Sequence, residues 1–404
     1  MNRNHPVRVL YSFPLRLGAD RICHTAWQQV RGLAAAGADL LVAPASLGRP
    51  VPEGARVLPT LARGNIRLPY RLLGTERSVA FHDRIVARRL ERLIGKIDII
   101  HTWPTGALET LKTAAQLGIP TVLERPNAHT GFAMEIVQRE CNRLGVPLPP
   151  DHEHAYNAEK VHKEEEEYRL ATKLLCPSDF VLKTFLDKGY SKDQLARHIY
   201  GYDEDVYFAS DELRDPKRGL KVLFVGVCAV RKGVHYALEA WLKSPACEDG
   251  EFTIAGEFLP AYREKLASML SHPSVKVLGH RKDVPELMRR SDILVLPSIE
   301  EGSALVTYEA RGSGCVLLVS DAAGAACVHG ENALIHRAGD VSKLAEQMTT
   351  LHRDREFLER LRRVSLATVP QITWAAAGVR LLDVYRETMD TYKASDSGVL
   401  AAAN

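Results

Sequence analysis

The chain lacks the features that mark several large protein classes. No apolar run approaches the roughly 18 residues that a membrane-spanning helix needs, so no segment is expected to cross a bilayer. The start, Met1-Asn-Arg-Asn-His-Pro-Val-Arg8, has no apolar core of the signal-peptide kind and leads into an expected strand, which points to the cytoplasm. The seven cysteines, at 23, 141, 176, 228, 247, 315 and 327, form no C-x-x-C pair. An odd, scattered set of this kind argues against a disulfide framework and for buried thiols in a reducing compartment. No G-x-G-x-x-G follows the first strand of either half, which excludes a nicotinamide dehydrogenase of the usual type. The absence of G-x-x-x-x-G-K-[ST] and G-x-S-x-G likewise excludes a P-loop NTPase and an esterase elbow.

The 404 residues present are 46% hydrophobic and 25% charged, an ordinary globular balance and enough chain for two domains. Short β-branched runs alternate with helical stretches, the signature of parallel sheets with crossover helices. A first series of strands is expected at Arg8–Phe13, Leu40–Ala43, Ile97–His101, Thr121–Glu124, Lys173–Cys176 and His198–Tyr200. A second is expected at Val222–Val227, Phe252–Ala255, Val275–Leu278, Ile293–Leu296 and Val316–Val319, with helices between, one of them Ala261–Leu270. The reading is α/β: two tandem Rossmann-like domains, 1–205 and 220–373, facing a central cleft, joined by a polar linker at 206–219 that contains Pro216. Residues 374–404 read as a C-terminal helix able to pack on either domain, with a frayed tail after Ala394. In such an architecture ligands gather at the carboxyl ends of the strands.

The segment Pro297-Ser-Ile-Glu-Glu-Gly-Ser-Ala-Leu-Val-Thr-Tyr-Glu-Ala-Arg-Gly-Ser-Gly-Cys-Val-Leu-Leu-Val-Ser320 reads strand, loop, helix, glycine turn, strand. Its helix opens at a strand's carboxyl end, where unpartnered amides and the positive dipole end suit a diphosphate. Glu309 lies eight residues beyond Glu301, so the two carboxylates project to roughly one side, each able to accept from adjacent sugar hydroxyls. A second segment, Phe224-Val-Gly-Val-Cys-Ala-Val-Arg-Lys-Gly-Val-His235, sets the basic pair Arg231–Lys232 at another helix start, where a nearby anion would relieve the conflict with the dipole.

The first segment closely resembles the E-x7-E signature of the retaining, GT-B-fold glycosyltransferases of family 4 (glycosyl transferases group 1). Glu301, Gly302, Leu305, Glu309, Ala310 and Gly314 all match the family pattern. The resemblance implies that Glu301 contacts hydroxyls of the transferred sugar and Glu309 the ribose of the nucleotide. It assigns Gly302, Ser303 and the amides around Ala304, Leu305 and Val306 to the phosphates or sugar. Lys232-Gly233 matches the family's K-G and Gly226 the glycine that closes the strand. The family's arginine after that glycine is Val227 here, and Arg231 is expected to supply the missing charge on the departing diphosphate. Glu124-Arg-Pro-Asn-Ala-His129 falls where relatives carry a histidine near the reacting sugar, which makes His129 an expected active-site residue. Asp98-Ile-Ile-His101 resembles the family's strand end, with His101 structural. Gly18 alone stands for the family's glycine-rich loop over the phosphates. The loop His280–Asp283, with Arg281 as a donor contact, is expected to help choose base and sugar.

The implied activity is transfer of a sugar from a nucleoside-diphosphate sugar to a hydroxyl acceptor, with no metal and no cofactor beyond that co-substrate. Residues 1–100 hold 16 Lys and Arg against 7 Asp and Glu, with Arg84, Arg88, Arg89 and Arg92 on an expected helix. That excess reads either as a solvated face or as a peripheral contact with the anionic inner face of a membrane. No nucleic-acid partner is expected. Glu164–Glu167 reads as a solvated or ion-paired helix face, and neither Asp203-Glu-Asp205 nor His152-Glu-His154 is expected to bind metal. The rival readings are a phosphorylase or epimerase on the same scaffold and a non-catalytic nucleotide-sugar-binding protein.

Overall fold

The computed structural model describes residues 5–63, 66–67, 74–210 and 218–402. The centre of the expected linker, including Pro216, lies outside the described residues. Two parallel sheets dominate the chain. The first contains β1 (Arg8–Leu17), β2 (Asp39–Leu47), β3 (Arg56–Val57), β6 (Ile99–Thr102), β7 (Thr121–Glu124), β8 (Lys173–Cys176) and β9 (Leu195–Arg197) in the order β3-β2-β1-β6-β7-β8-β9. Between β3 and β6 a small antiparallel ladder joins β4 (Ala62–Arg63) to β5 (Ile66–Arg67). The second sheet, ordered β12-β11-β10-β13-β14-β15, contains β10 (Lys221–Val225), β11 (Glu251–Ala255), β12 (Val275–Val277), β13 (Ile293–Leu296), β14 (Val316–Ser320) and β15 (Ala333–His336). Both strand orders reverse beside their first strand, so each sheet is a doubly wound, Rossmann-like one with a crevice at its switch point.

The strands form where β-branched and leucine residues run together, because both faces of each sheet are covered. Every residue of β6, β7, β13 and β14 is buried. Burial on both faces is also why these runs are continuous rather than alternating. Three expectations shift in position. β1 runs on past Phe13 to Leu17 through an irregularity between Phe13 and Arg16, staying paired with β2. The last strand of the first sheet is Leu195–Arg197 rather than His198–Tyr200, because His198 and Tyr200 turn their side chains to the buried Glu124 carboxylate. The helix expected at Ala261–Leu270 is two short helices, Pro260–Lys265 and Ala267–Leu270. Two further helices, Val341–Arg353 and Arg355–Thr368, start on Asp340 and Asp354, whose carboxylates accept from the Lys343 and Phe357 amides.

The C-terminal helix, Trp374–Ala402, returns to the first sheet's side and packs on the Ile22–Ala35 helix. Its backbone is helical to Ala402. Leu381, Leu382, Tyr385 and Met389 enter the core of the first domain. The Tyr385 hydroxyl meets His101 Nδ1 at 2.6 Å, which fixes His101 as a buried packing residue.

The two halves touch along one face. The Thr130–Leu144 helix carries Val137 and Cys141 into the core of the second domain. On the same helix Glu140 Oε1 accepts from Tyr236 at 2.6 Å and lies 3.0 Å from His235 Nε2. Both of those partners sit on the helix Val234–Lys243 of the second domain.

Candidate functional site

The loop that follows β13 carries Glu300, Glu301 and Gly302, and the helix Leu305–Gly312 begins directly after it. Opposite stands the short 3-10 turn Val230–Lys232, reached from β10. These two loops meet because Gly233 has φ 69° and lies against the Pro297 carbonyl, where any side chain would collide. The Ile299 amide then bonds the Arg231 carbonyl at 2.9 Å, closing the contact.

The result is a compact group of charges. Arg231 Nη1 donates to Glu301 Oε1 at 2.9 Å and to the Glu300 carbonyl at 3.1 Å, and lies 3.4 Å from Glu300 Oε2. Lys232 donates to Glu301 Oε2. Burial alone would raise the Glu301 carboxyl, but Arg231 and Lys232 overcome it and hold it at about 2. Burial lowers the Lys232 ammonium, with Glu301 opposing the shift. With two cations against two carboxylates, the group is neutral without a ligand.

Glu300 is the residue that sequence reasoning missed. Its carboxylate is fully buried and takes hydrogen bonds from the first domain: the Ala128 amide at 3.3 Å and His154 Nε2 at 3.1 Å. Burial opposes its ionisation, and the His154 bond and Arg231 restore it, leaving the carboxyl below its ordinary value. In the sequence His154 stands out only as half of a pair with His152. In the structure His152 Nδ1 accepts the His154 amide at 3.1 Å, a turn contact, while His154 reaches across to Glu300. The available signal was the doubled acid Glu300-Glu301 at a strand end.

Glu309 lies part-buried on the Leu305–Gly312 helix beside the Tyr207 hydroxyl. Burial pushes its carboxyl up to about 7, with the Tyr207 hydrogen bond working in the other direction. Gly302 has a second constraint. A Cβ there would fall on the Pro126 carbonyl of the first domain, and Ser178 Oγ donates to the Gly302 carbonyl at 2.5 Å. Gly302 therefore seats the loop directly against the backbone of the first domain. Ser303 is held by its own domain, with Oγ 2.8 Å from the Tyr308 hydroxyl and donating to the Gly324 carbonyl at 2.9 Å. Ala304 caps the following helix, whose first turn contains Leu305 and Val306. Gly226 ends β10 at φ 140° with open space at its Cβ position.

Three expected residues lie apart from this group. His129 starts the Thr130–Leu144 helix with its ring buried among Tyr168, Phe185 and Tyr190. Burial, with Arg125 adding to it, lowers that imidazole to about 4. The ring faces the aromatic cluster because that is where its apolar surface is covered, while the neighbouring Ala128 amide reaches the acidic loop. Gly18 is not a flexible phosphate loop: it is buried in a turn, bonded to the Cys23 carbonyl at 2.9 Å and closed over by Arg49. Arg281 is on the surface and spends its guanidinium on Asp283, at 2.5 and 2.8 Å. The expected acidic face at Glu164–Glu167 is also different. Glu164 and Glu167 point inward, Glu164 to Arg125 at 3.0 Å and Glu167 to the Thr105 and Ala107 amides at 2.7 and 3.0 Å.

Comparison with known proteins fits this geometry. The family model of glycosyl transferases group 1 matches residues 219–354, which include β10 to β15 and the charged group. Sulfoquinovosyl transferase SQD2 of Arabidopsis thaliana is 26% identical over 323 residues, covering 75% of this chain and 59% of that protein. A D-inositol 3-phosphate glycosyltransferase of Paenarthrobacter aurescens is 25% identical, covering 76% of each chain. One from Nocardia farcinica matches over 46% of this chain and 37% of its own length, so the chain spans well under two thirds of some of these relatives. Among solved structures, sucrose-phosphate synthase of Thermosynechococcus elongatus superposes with a TM-score of 0.68 at 16% identity, covering 96% of this chain and 100% of that one. Anabaena HepE in complex with UDP-glucose gives 0.63 at 17% identity, covering 95% and 99%. The fold is of the GT-B kind, two doubly wound domains, and residues 219–354 of the second resemble the glycosyl transferases of group 1.

Proposed function

We propose that the chain moves a sugar from a nucleoside-diphosphate sugar to an acceptor hydroxyl, with retention at the anomeric carbon and without a metal. The observation that carries this reading is the Arg231–Lys232 pair held against Glu301 at a strand end, beside the start of the Leu305–Gly312 helix. Relatives of similar fold support the donor class, since HepE is described in complex with UDP and with UDP-glucose.

In this reading the donor's diphosphate takes over Arg231 and Lys232, and Glu301, freed from them, accepts from hydroxyls of the transferred sugar. Glu309 accepts from the ribose. As the bond from the anomeric carbon to the β-phosphate oxygen breaks, its electron pair leaves with the phosphate. The cations and helix-start amides stabilise that growing charge, each such donor being worth about 3 kcal/mol of barrier. The acceptor oxygen forms the new bond on the same face and its proton passes to the departing phosphate. Because two cations already face the diphosphate, charge neutralisation needs no metal ion. Glu301 binds and orients, and no carboxylate attacks the sugar as in retaining glycosidases.

The first domain adds a surface fit for an anionic membrane. On the Thr75–Leu90 helix, Arg77, Phe81, Arg84 and Arg88 all lie exposed along one stripe, an aromatic ring set among guanidinium groups.

The deciding experiment is a panel of nucleotide sugars scored by thermal shift, followed by the anomeric configuration of the product. One donor class should raise the melting temperature by mass action, and its product should keep the donor's configuration. Stabilisation by no nucleotide sugar, or an inverted product, would contradict the reading.

A further inference from the structure

Glu300 and Glu301 stand side by side and compete for one guanidinium. Arg231 Nη1 donates to Glu301 Oε1 at 2.9 Å and lies 3.4 Å from Glu300 Oε2. The donor reading needs that guanidinium for the diphosphate. Hydroxyls of the sugar can replace it on Glu301, but Glu300 is fully buried, so its charge must be satisfied by the protein itself. We propose that His154 is the positioning residue that resolves this competition: by donating to Glu300 from the first domain, it releases Arg231 to the diphosphate. The proposal rests on the donor reading and adds to it a residue from the other domain.

The Glu300 carboxylate is covered by first-domain donors on both oxygens. Oε2 lies 3.1 Å from His154 Nε2, closer than Arg231, and Oε1 accepts from the Ala128 amide at 3.3 Å. An ionised carboxylate can only accept, so His154 Nε2 carries the proton. Burial acts against the Glu300 charge, and the His154 hydrogen bond comes ahead of Arg231 in sustaining it. The imidazole has no competing use. It is buried, its Nδ1 lacks a hydrogen-bond partner, and on that side the Glu153 carboxylate at 3.5 Å belongs to an exposed side chain. A cavity of about 160 Å³, lined by both His154 and Arg125, leaves room beside the ring. Among the described residues Glu300 is therefore the ring's one hydrogen-bonded partner.

Without the Nε2 proton, the buried carboxylate would turn to the nearest remaining charge, because an unpaired buried charge costs more than a shared one. That charge is Arg231, whose guanidinium would then be divided between Glu300 and the diphosphate. His154 and Ala128 belong to the first domain, Glu300 and Arg231 to the second, so the release operates only while the domains touch. Domain contact and the availability of the cation are linked through one carboxylate.

The test is calorimetric titration of the full chain with UDP against UMP and with GDP against GMP. The preference for diphosphate over monophosphate reads the β-phosphate on Arg231 and Lys232, and it needs no acceptor. With the tighter-binding base, His154→Phe, which keeps a buried ring without the N–H, should lower that preference about ten-fold while monophosphate affinity stays within about two-fold. His154→Gln, which returns an N–H donor near the place of Nε2, should keep most of the preference. Glu300→Gln added to His154→Phe should restore it, since no carboxylate charge is left to hold Arg231. An unchanged preference in His154→Phe, or no recovery in either of the other two variants, would overturn the proposal. Equal loss of mono- and diphosphate would also overturn it and assign His154 to packing. A native chain that binds neither diphosphate, or an unchanged preference in Arg231→Ala, would remove the donor reading itself.

Discussion

Glu301 accepts from two cations at once, and the consequence is specific to each partner. Lys232 is a point charge whose ammonium is already destabilised by burial, and the proposed reaction assigns it to the departing phosphate. Lys232→Ala should lower turnover by about 100-fold or more with nucleotide binding less affected, as steady-state kinetics would show. Near-normal turnover would remove it from the leaving-group role. Glu309 gives a pH prediction. Its folded-state carboxyl sits near 7 against an ordinary 4.5, so the fold is favoured by the neutral form at low pH and loses that contribution as pH rises through 7. A ribose needs the ionised acceptor, so nucleotide affinity should run the other way and tighten several-fold from about pH 6 to pH 8. Titrations across that range should show the trend in the native chain and a flat, weaker profile in Glu309→Gln. The positions of Glu301 and Glu309 in one strand-loop-helix segment, and of Lys232 in the turn of another, were legible because each segment is local in the chain. Glu300 and His154 were not, because their partnership spans 146 residues and exists only once the domains meet.

At the scale of elements, the active loop is shaped by what it touches. The loop after β13 can approach the first domain because Gly302 has no side chain to strike Pro126. Gly302→Ala should separate the domains at this contact, raising the radius of gyration in small-angle scattering and lowering kcat/KM on the order of 100-fold. An unchanged radius with unchanged activity would show that the contact is dispensable. The same argument bears on His129. Its position at the end of β7 and the start of a helix was readable, but the direction of its ring was set by Tyr168, Phe185 and Tyr190, which come from distant parts of the chain. Gly18 is in a comparable setting: β1 continues past Pro14 and the turn at Gly18 is packed by Arg49.

For the molecule as a whole, the two domains are joined by the apolar face of the Thr130–Leu144 helix and by polar ties rather than by a continuous sheet. Glu140 holds His235 and Tyr236, and the neighbouring Arg143 also reaches the Tyr236 hydroxyl at 3.2 Å. Burial acts against the Glu140 charge, but these donors outweigh it and keep its carboxyl far below the usual range, so this tie persists through mild acid. On the outer side, the stripe of Arg77, Phe81, Arg84 and Arg88 predicts retention on vesicles containing anionic phospholipid, and not on neutral ones, with loss at high salt. Each arginine near such a surface contributes about 1 kcal/mol, so the double variant Arg84→Glu, Arg88→Glu should lower retention by more than ten-fold in co-sedimentation. Equal retention of variant and native chain would assign the stripe to solvent.

What the sequence determined by itself was whatever is local: the alternation of buried strands and crossover helices, the E-x7-E segment, and the K-G turn. Each depends on residues close along the chain, where backbone geometry converts spacing directly into direction. What only the tertiary structure decided was which side chains meet. The Glu300–His154 bond, the seat of Gly302 against Pro126, and the cavity beside Arg125 all join residues far apart in sequence. Their energies depend on burial and on partners brought by another element, and no pattern along a single strand or helix encodes that.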